Sequence, residues 1–198
     1  MRRKRSNRAG FTLVEAMVVV AIIGILLGLG APALLGTLPG LRASGAAREV
    51  LSDLRQARTA AIEKGVPAVV AFHTDAAGNP AVGTYVVALD RSDPPNHSFD
   101  PGTDTVLKVA TLANTYKGIA FGTSAAGAGA AASAAGVDFL AGATVAFQPR
   151  GAATSSGAVY LMPAADAGGR TDRNRRVVLV TAATGNLRIE RYQGGEWQ

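Results

Sequence analysis

Between Phe11 and Ala31 only Thr12 and Glu15 are clearly polar, and no other feature limits so sharply what this chain can fold into. Written as a helix at about 1.5 Å per residue, the run is roughly 31 Å long, the thickness of a bilayer's hydrocarbon core. Arg2, Arg3, Lys4, Arg5 and Arg8 precede it, and Arg42 and Arg48 lie well beyond its other end. The bias of positive charge toward the cytoplasmic side predicts Met1 inside the cell and the rest of the chain across the membrane. Those five leader cations also account for most of the formal charge of +6. The high isoelectric point is therefore a property of the leader and weak evidence for a nucleic-acid surface.

The run has blander readings. A cleavable secretory signal also has a basic start and an apolar middle, and Ala31-Pro32-Ala33 offers a small-residue cutting site. The run is long for such a signal, however, and carries a carboxylate near its start. A plain anchor accounts for the length and leaves Glu15 without a reason. A lone carboxylate in lipid costs a few kcal/mol on insertion scales, so such residues have a partner and a function.

Gly10-Phe11-Thr12-Leu13-Val14-Glu15, placed after a short basic leader, resembles the leader-cleavage motif of type IV pilins and type II secretion pseudopilins. The resemblance implies that a prepilin peptidase cuts between Gly10 and Phe11 and that the new amine of Phe11 is methylated. Ala16 stands where that family often has leucine. Once cut, Phe11 carries a cation one helical turn from Glu15 on the same face, and the helix amino terminus favours an anion there. Glu15 is then expected to neutralise the amine of a neighbouring subunit and set axial register. The alternative is an intramolecular pair that eases insertion.

Gly24, Gly28, Gly30 and Pro32 punctuate the run, and Gly36, Pro39 and Gly40 follow. They predict a bend or loosened turn near Pro32, or simply small surfaces that let helices approach. From Leu41 to Lys64 an amphipathic helix is expected. Ala47, Val50, Leu51, Leu54, Ala57, Ala61 and Ile62 recur at three- and four-residue spacing, with Arg48, Glu49, Asp53, Arg55 and Arg58 on other faces. Gly65 and Pro67 end it.

Beyond Pro67 the pattern changes to short strands: Ala68–His73, Thr84–Asp90, Val106–Leu112, Lys117–Phe121, Ala143–Phe147, Ala158–Met162, Arg176–Thr181 and Asn186–Tyr192. No helical period separates them, which predicts antiparallel pairing. Ser92–Asp104 reads as a proline- and aspartate-rich loop. Residues 122–136 are a low-complexity glycine-alanine insertion with too little side chain to bury, and are expected to form a flexible surface excursion. Gly127, Gly129 and Ala132 satisfy a dinucleotide fingerprint, but in such composition the match is a chance one, with no helix after it and no acid at the ribose position.

Phe147-Gln148-Pro149-Arg150-Gly151, the strand Arg176–Val180 and the stretch Thr181–Ile189 resemble the carboxy-terminal signature of the H-type minor pseudopilins, the GspH/FimT family. That likeness implies a pilin-like α+β fold, a long amino-terminal helix packed on a carboxy-terminal antiparallel β-sheet head. The expected layout is a cleaved cytoplasmic leader over 1–10, a transmembrane or filament-core helix over 11–31, an amphipathic helix over 32–66 and a periplasmic β-rich head over 67–198. It implies a structural subunit, not an enzyme. Its partners would be other pseudopilins or pilins, prepilin peptidase, the inner-membrane assembly platform and membrane lipid. Type II secretion, a type IV pilus and a stand-alone membrane-anchored binding domain are the three functional readings.

No active site is legible. The chain has no cysteine, which excludes disulfides and thiolate chemistry, and its two histidines, His73 and His97, lie on different segments, so neither a metal nor a cofactor is expected. Arg170, Arg173, Arg175 and Arg176, with Arg188 and Arg191 nearby, are the one basic concentration outside the leader. Asp166, Asp172, Glu190 and Glu196 dilute it, and the plain reading is a solvated loop and strand edge. Some pilus relatives bind DNA through basic residues near this carboxy-terminal turn, which makes Arg188 and Arg191 the candidate phosphate contacts here. Asn186 at the turn and the nearby acids argue against DNA as a partner.

Overall fold

The computed structural model describes residues 11–122, 136–140, 142–166, 175–193 and 196–198. The leader with Gly10, the body of the glycine-alanine insertion and Arg170 and Arg173 lie outside the described residues. The chain divides into two compact units, Met1–Leu38 and Pro39–Gln198.

One helix, α1 (Leu13–Lys64), contributes to both units. The helical hydrogen bonding runs on through Pro32, near which a bend or loosened turn was expected, and through Pro39. A proline removes one amide donor and crowds one carbonyl, a local loss that the turns on either side can bridge. In the first unit the large apolar side chains from Leu13 to Leu27 are exposed all round the helix. The side chains are described there as far as Gly28, and among the described residues no helix is long and apolar enough to cross a membrane.

In the second unit the helix buries a stripe of Ala43, Ala46, Ala47, Val50, Leu51, Leu54, Ala57 and Ala61. Most of these are alanines. A Cβ on Gly45 would sit 2.6 Å from the ring of Tyr116. Gly65, at φ +66, ends α1 by donating to the Ala61 carbonyl.

The strands form two antiparallel sheets rather than one. Sheet A contains β1 (Ala68–Thr74), β2 (Pro80–Leu89), β3 (Thr105–Thr111) and β6 (Thr144–Phe147), in the order β3-β2-β1-β6. Sheet B runs β10-β9-β8-β7-β4, with β4 (Ile119–Phe121), β7 (Gly157–Pro163), β8 (Arg176–Thr181), β9 (Asn186–Gln193) and β10 (Glu196–Trp197). A further strand, β5 (Val137–Phe139), also pairs with β7, and a one-turn helix, α2 (Leu112–Thr115), follows β3. Both sheets pack on α1. Phe72 of sheet A meets Phe121 and Phe139 of sheet B, and Tyr85 meets Phe121, with ring centroids 5.6–6.2 Å apart along the seam.

The insertion leaves and re-enters sheet B at one point. β4 pairs Phe121 with Leu161, and β5 pairs Val137 with Val159. Between them Gly122 donates to the Tyr160 carbonyl at 3.2 Å, while Tyr160 donates to the Gly136 carbonyl at 2.7 Å. A Cβ on Gly136 would lie 2.0 Å from the Gly122 nitrogen. Two glycines therefore share the position opposite Tyr160, and β4 and β5 are halves of one strand. Deleting 123–136 and joining Gly122 to Val137 should restore a continuous strand. The thermal midpoint of the full chain in detergent is expected to stay within about 4 °C of the parent, roughly 1 kcal/mol at this size. An unfolded product would contradict the split-strand reading.

Candidate functional site

Thr12 stands immediately before α1, and its Oγ1 accepts the Glu15 backbone N–H at 3.2 Å while its carbonyl accepts that of Ala16 at 3.1 Å. This is an N-cap arrangement, and it fixes where the helix starts. Glu15 follows in the first turn, where the unsatisfied amides favour a negative charge. Its side chain is exposed, as is that of Phe11 four residues earlier. Leu13, Ala16, Met17, Val20 and Ala21 line a shallow apolar groove of about 410 Å³ along the same helix. An anion at the start of an exposed apolar helix can meet a cation and bury its apolar face against lipid or another helix. It offers no nucleophile or acid–base pair.

The carboxy-terminal signature proves to be a clasp. Arg58 reaches from α1 and donates from Nε to the Gly151 carbonyl at 2.9 Å and from Nη2 to the Thr184 carbonyl at 3.0 Å. One guanidinium therefore ties the turn after β6 to the turn between β8 and β9. Gly151 and Gly185 both have positive φ, and a Cβ on Gly185 would fall 2.1 Å from the Gly151 carbonyl oxygen. The glycines of both motifs are required by this contact.

Arg188 and Arg191 are not brought together. Three residues apart on β9, they face opposite sides of the sheet. Arg188 lies in an outward row with Asp138, Ala158 and Leu179, set by register across β5, β7, β8 and β9. It is bridged to Glu190 at 2.9 Å. Arg191 faces inward with Leu187 and Ile189, opposite Arg176. Arg175 and Arg176 are buried rather than solvated. The Arg175 guanidinium lies 5.6 Å from the centroid of the Tyr192 ring, and Arg176 turns in against Ser44 of α1.

A second charged group lies between α1 and sheet A. Asp53, expected on a polar face, belongs to the buried stripe at 4% exposure. It accepts the Tyr85 hydroxyl at 2.6 Å and the Lys108 ammonium at 2.7 Å, and Lys108 also reaches Glu49 at 3.3 Å. Burial, then the hydrogen bond and charge of Asp53, push the Tyr85 phenol upward. Burial pulls the Lys108 ammonium down, but the hydrogen bonds and charges of Asp53 and Glu49 outweigh it and raise its pKa. The sequence signal was slight, a lysine inside the strand and an aspartate three residues after Val50.

The Ser92–Asp104 loop is organised by its own acids. Buried Asp90 accepts the amides of Ser92 and His97 at 3.0 and 2.8 Å, and Asp104 accepts those of Arg91 and Asp100 at 2.9 and 2.8 Å. His73 packs edge-on to Phe121, 5.3 Å between centroids. Among the described residues no group of three or more His, Asp or Glu is placed to hold a metal ion.

A capped helix start bearing Glu15, and a helix laid on two antiparallel sheets, define a pilin-like protein. Residues 5–31 match the prokaryotic N-terminal methylation motif, and residues 46–185 match Type II transport protein GspH. The chain belongs to the GspH family, whose members are pilin-type structural subunits of type II secretion or type IV pilus systems rather than enzymes. It is 32% identical over 98 residues to the pilin-like protein PilA1 of Thermus thermophilus, a match covering 50% of this chain and 57% of that one. The chain thus spans somewhat more than half the length of that relative. The structure is similar to the minor pseudopilin EpsH of the Vibrio cholerae type 2 secretion system (TM-score 0.45, 16% identity, 75% of this chain and 95% of that one). It is also similar to the Pseudomonas aeruginosa type IV minor pilin FimU (TM-score 0.45, 12% identity, 78% and 96%).

Proposed function

We propose that the chain is a minor pseudopilin, a structural subunit of the type II secretion pseudopilus that supports protein export across the outer membrane. It is made as a prepilin and held in the inner membrane with its amino terminus cytoplasmic and its head periplasmic. Prepilin peptidase cuts between Gly10 and Phe11, Phe11 is methylated, and the inner-membrane assembly platform passes the subunit into a filament. The observation that carries the reading is the methylation motif over 5–31 directly ahead of the GspH match over 46–185. The exposed, all-round apolar helix supports it, because such a surface needs a cover of lipid or neighbouring helices.

Intact mass of membrane-extracted protein tests the processing. The expected result is loss of Met1–Gly10 and gain of one methyl group. A full-length chain, or cutting near Ala33, would overturn the assignment.

A minor type IV pilin, serving pilus assembly or DNA uptake, is the second reading, favoured by the similarity to PilA1. Deleting the gene separates the two: loss of exoprotein secretion supports the first, and loss of twitching or transformation the second. A stand-alone anchored binding domain would need neither the cut at Gly10 nor Glu15.

A further inference from the structure

Where α1 meets sheet B, three arginines are neighbours. Ser44 and Arg48 are one helical turn apart and share a face. Arg176 donates to the Ser44 hydroxyl oxygen from Nε at 3.1 Å and Nη2 at 2.9 Å, and to the Arg175 carbonyl from Nη1 at 2.8 Å. Arg191 stands directly across the strand pair from Arg176, on the same inward face. Arg176 is 8% exposed, whereas Arg48 and Arg191 are open to solvent. The result is a buried cation flanked by two exposed ones.

Among the described residues its hydrogen bonds are satisfied but its charge is not. A serine hydroxyl and a peptide carbonyl accept protons without neutralising a guanidinium. The ion pairs among the described residues lie elsewhere, at Lys108 with Glu49 and Asp53, and at Arg188 with Glu190. Burial, then the charges of Arg191 and Arg48, draw the Arg176 pKa below the ordinary arginine value. A buried charge without a counter-ion costs several kcal/mol, and two like charges beside it add to that cost. A carboxylate placed against the group would offset that cost.

The geometry points to Arg48, Arg176 and Arg191 as a docking site for an acidic side chain on the helix of a neighbouring filament subunit. The occupant is a protein carboxylate rather than a nucleic acid. A phosphate backbone is held by an exposed row of cations, and here the central one is buried while Arg188, the other candidate, faces away and is already paired with Glu190. A single side chain can enter the seam and be gripped by planar guanidinium forks. The inference rests on the filament reading above and names a contact within it.

The test uses the full chain at native level in filament-forming cells. A Arg48→Gln/Arg191→Gln double variant is expected to enter filaments about tenfold less than the parent, the scale of one lost interfacial charge pair. Its thermal midpoint in detergent should be equal or higher, because like-charge repulsion has been removed. Arg188→Gln, on the opposite face, should enter normally. A photo-crosslinking amino acid at position 48 should attach to a helical peptide of another pilin-like subunit containing Asp or Glu, and reversing that acid should restore entry of the charge-reversed chain. A double variant that enters as well as an incorporated parent, or crosslinks to lipid or nucleic acid alone, overturns the inference and leaves the filament reading standing. A parent absent from filaments overturns both.

Discussion

Glu15→Val is expected to be cut after Gly10 as usual and then to be missing from filaments. The carboxylate lies in the first turn of α1, exposed, one turn from Phe11. Replacing it with valine makes the helix easier to insert by roughly 2–3 kcal/mol, so membrane content should not fall. The helix start is kept by the Thr12 cap, which uses the Glu15 backbone amide and not its side chain. On the proposed filament reading, what disappears is the attraction to a neighbour's new amine. If filament packing buries that pair, truncating one partner costs about 2–5 kcal/mol, so the filament-borne fraction should drop about 30-fold or more. Glu15→Gln keeps a polar side chain and loses the charge, and should fail nearly as badly. Quantifying the mutant protein in sheared filaments against total membrane protein decides it. Normal incorporation would reduce Glu15 to a local pair that eases insertion.

Lys108→Met should be the most damaging single change in the head. It leaves Asp53, at 4% exposure, as a buried carboxylate with the Tyr85 hydroxyl as its remaining side-chain partner among the described residues. Breaking a buried pair from one side costs about 3–5 kcal/mol, whereas replacing all members with apolar groups of similar volume is often neutral. The triple variant Lys108→Met/Asp53→Leu/Tyr85→Phe should therefore recover most of the stability lost by the single one. Urea midpoints of the full chain in detergent would show this. A single variant as stable as the parent would mean the network contributes little.

The same network sets an alkaline limit. Tyr85 and Lys108 both have folded pKa values above their ordinary 10.0 and 10.5. A group raised on folding adds stability that is fully present below its unfolded value and is lost as pH rises through its folded value. The head should thus weaken above about pH 10, and the triple variant should weaken less.

The elements with strong periodicity were legible in the sequence. Every expected strand is present, and α1 ends at Lys64 as Gly65 and Pro67 indicate. The strands β5 and β10, of three and two residues, were not legible, because so short a segment has no period and becomes a strand only by pairing with β7 or β9. The division into two sheets was hidden for the same reason. It follows from partner choice, such as β1 pairing with β6 across about 70 residues of sequence. Asp53 and Arg176 were assigned to solvent by residue type, and both are buried by tertiary partners that no local pattern records. Arg188 and Arg191 look adjacent in sequence, but an odd spacing on a strand sends them to opposite faces. Gly122 and Gly136, read as the ends of a soft tract, meet at a single site on β7.

Arg58 has a consequence beyond the two carbonyls it grips. Because one planar group on the helix holds a turn from each sheet, the angular phase of α1 from Pro39 onward is keyed to both layers together. Rolling the helix about its axis to improve packing on one layer would tear the key from the other. The head therefore resists torsion as a single body, and substitutions beneath either layer are felt by both.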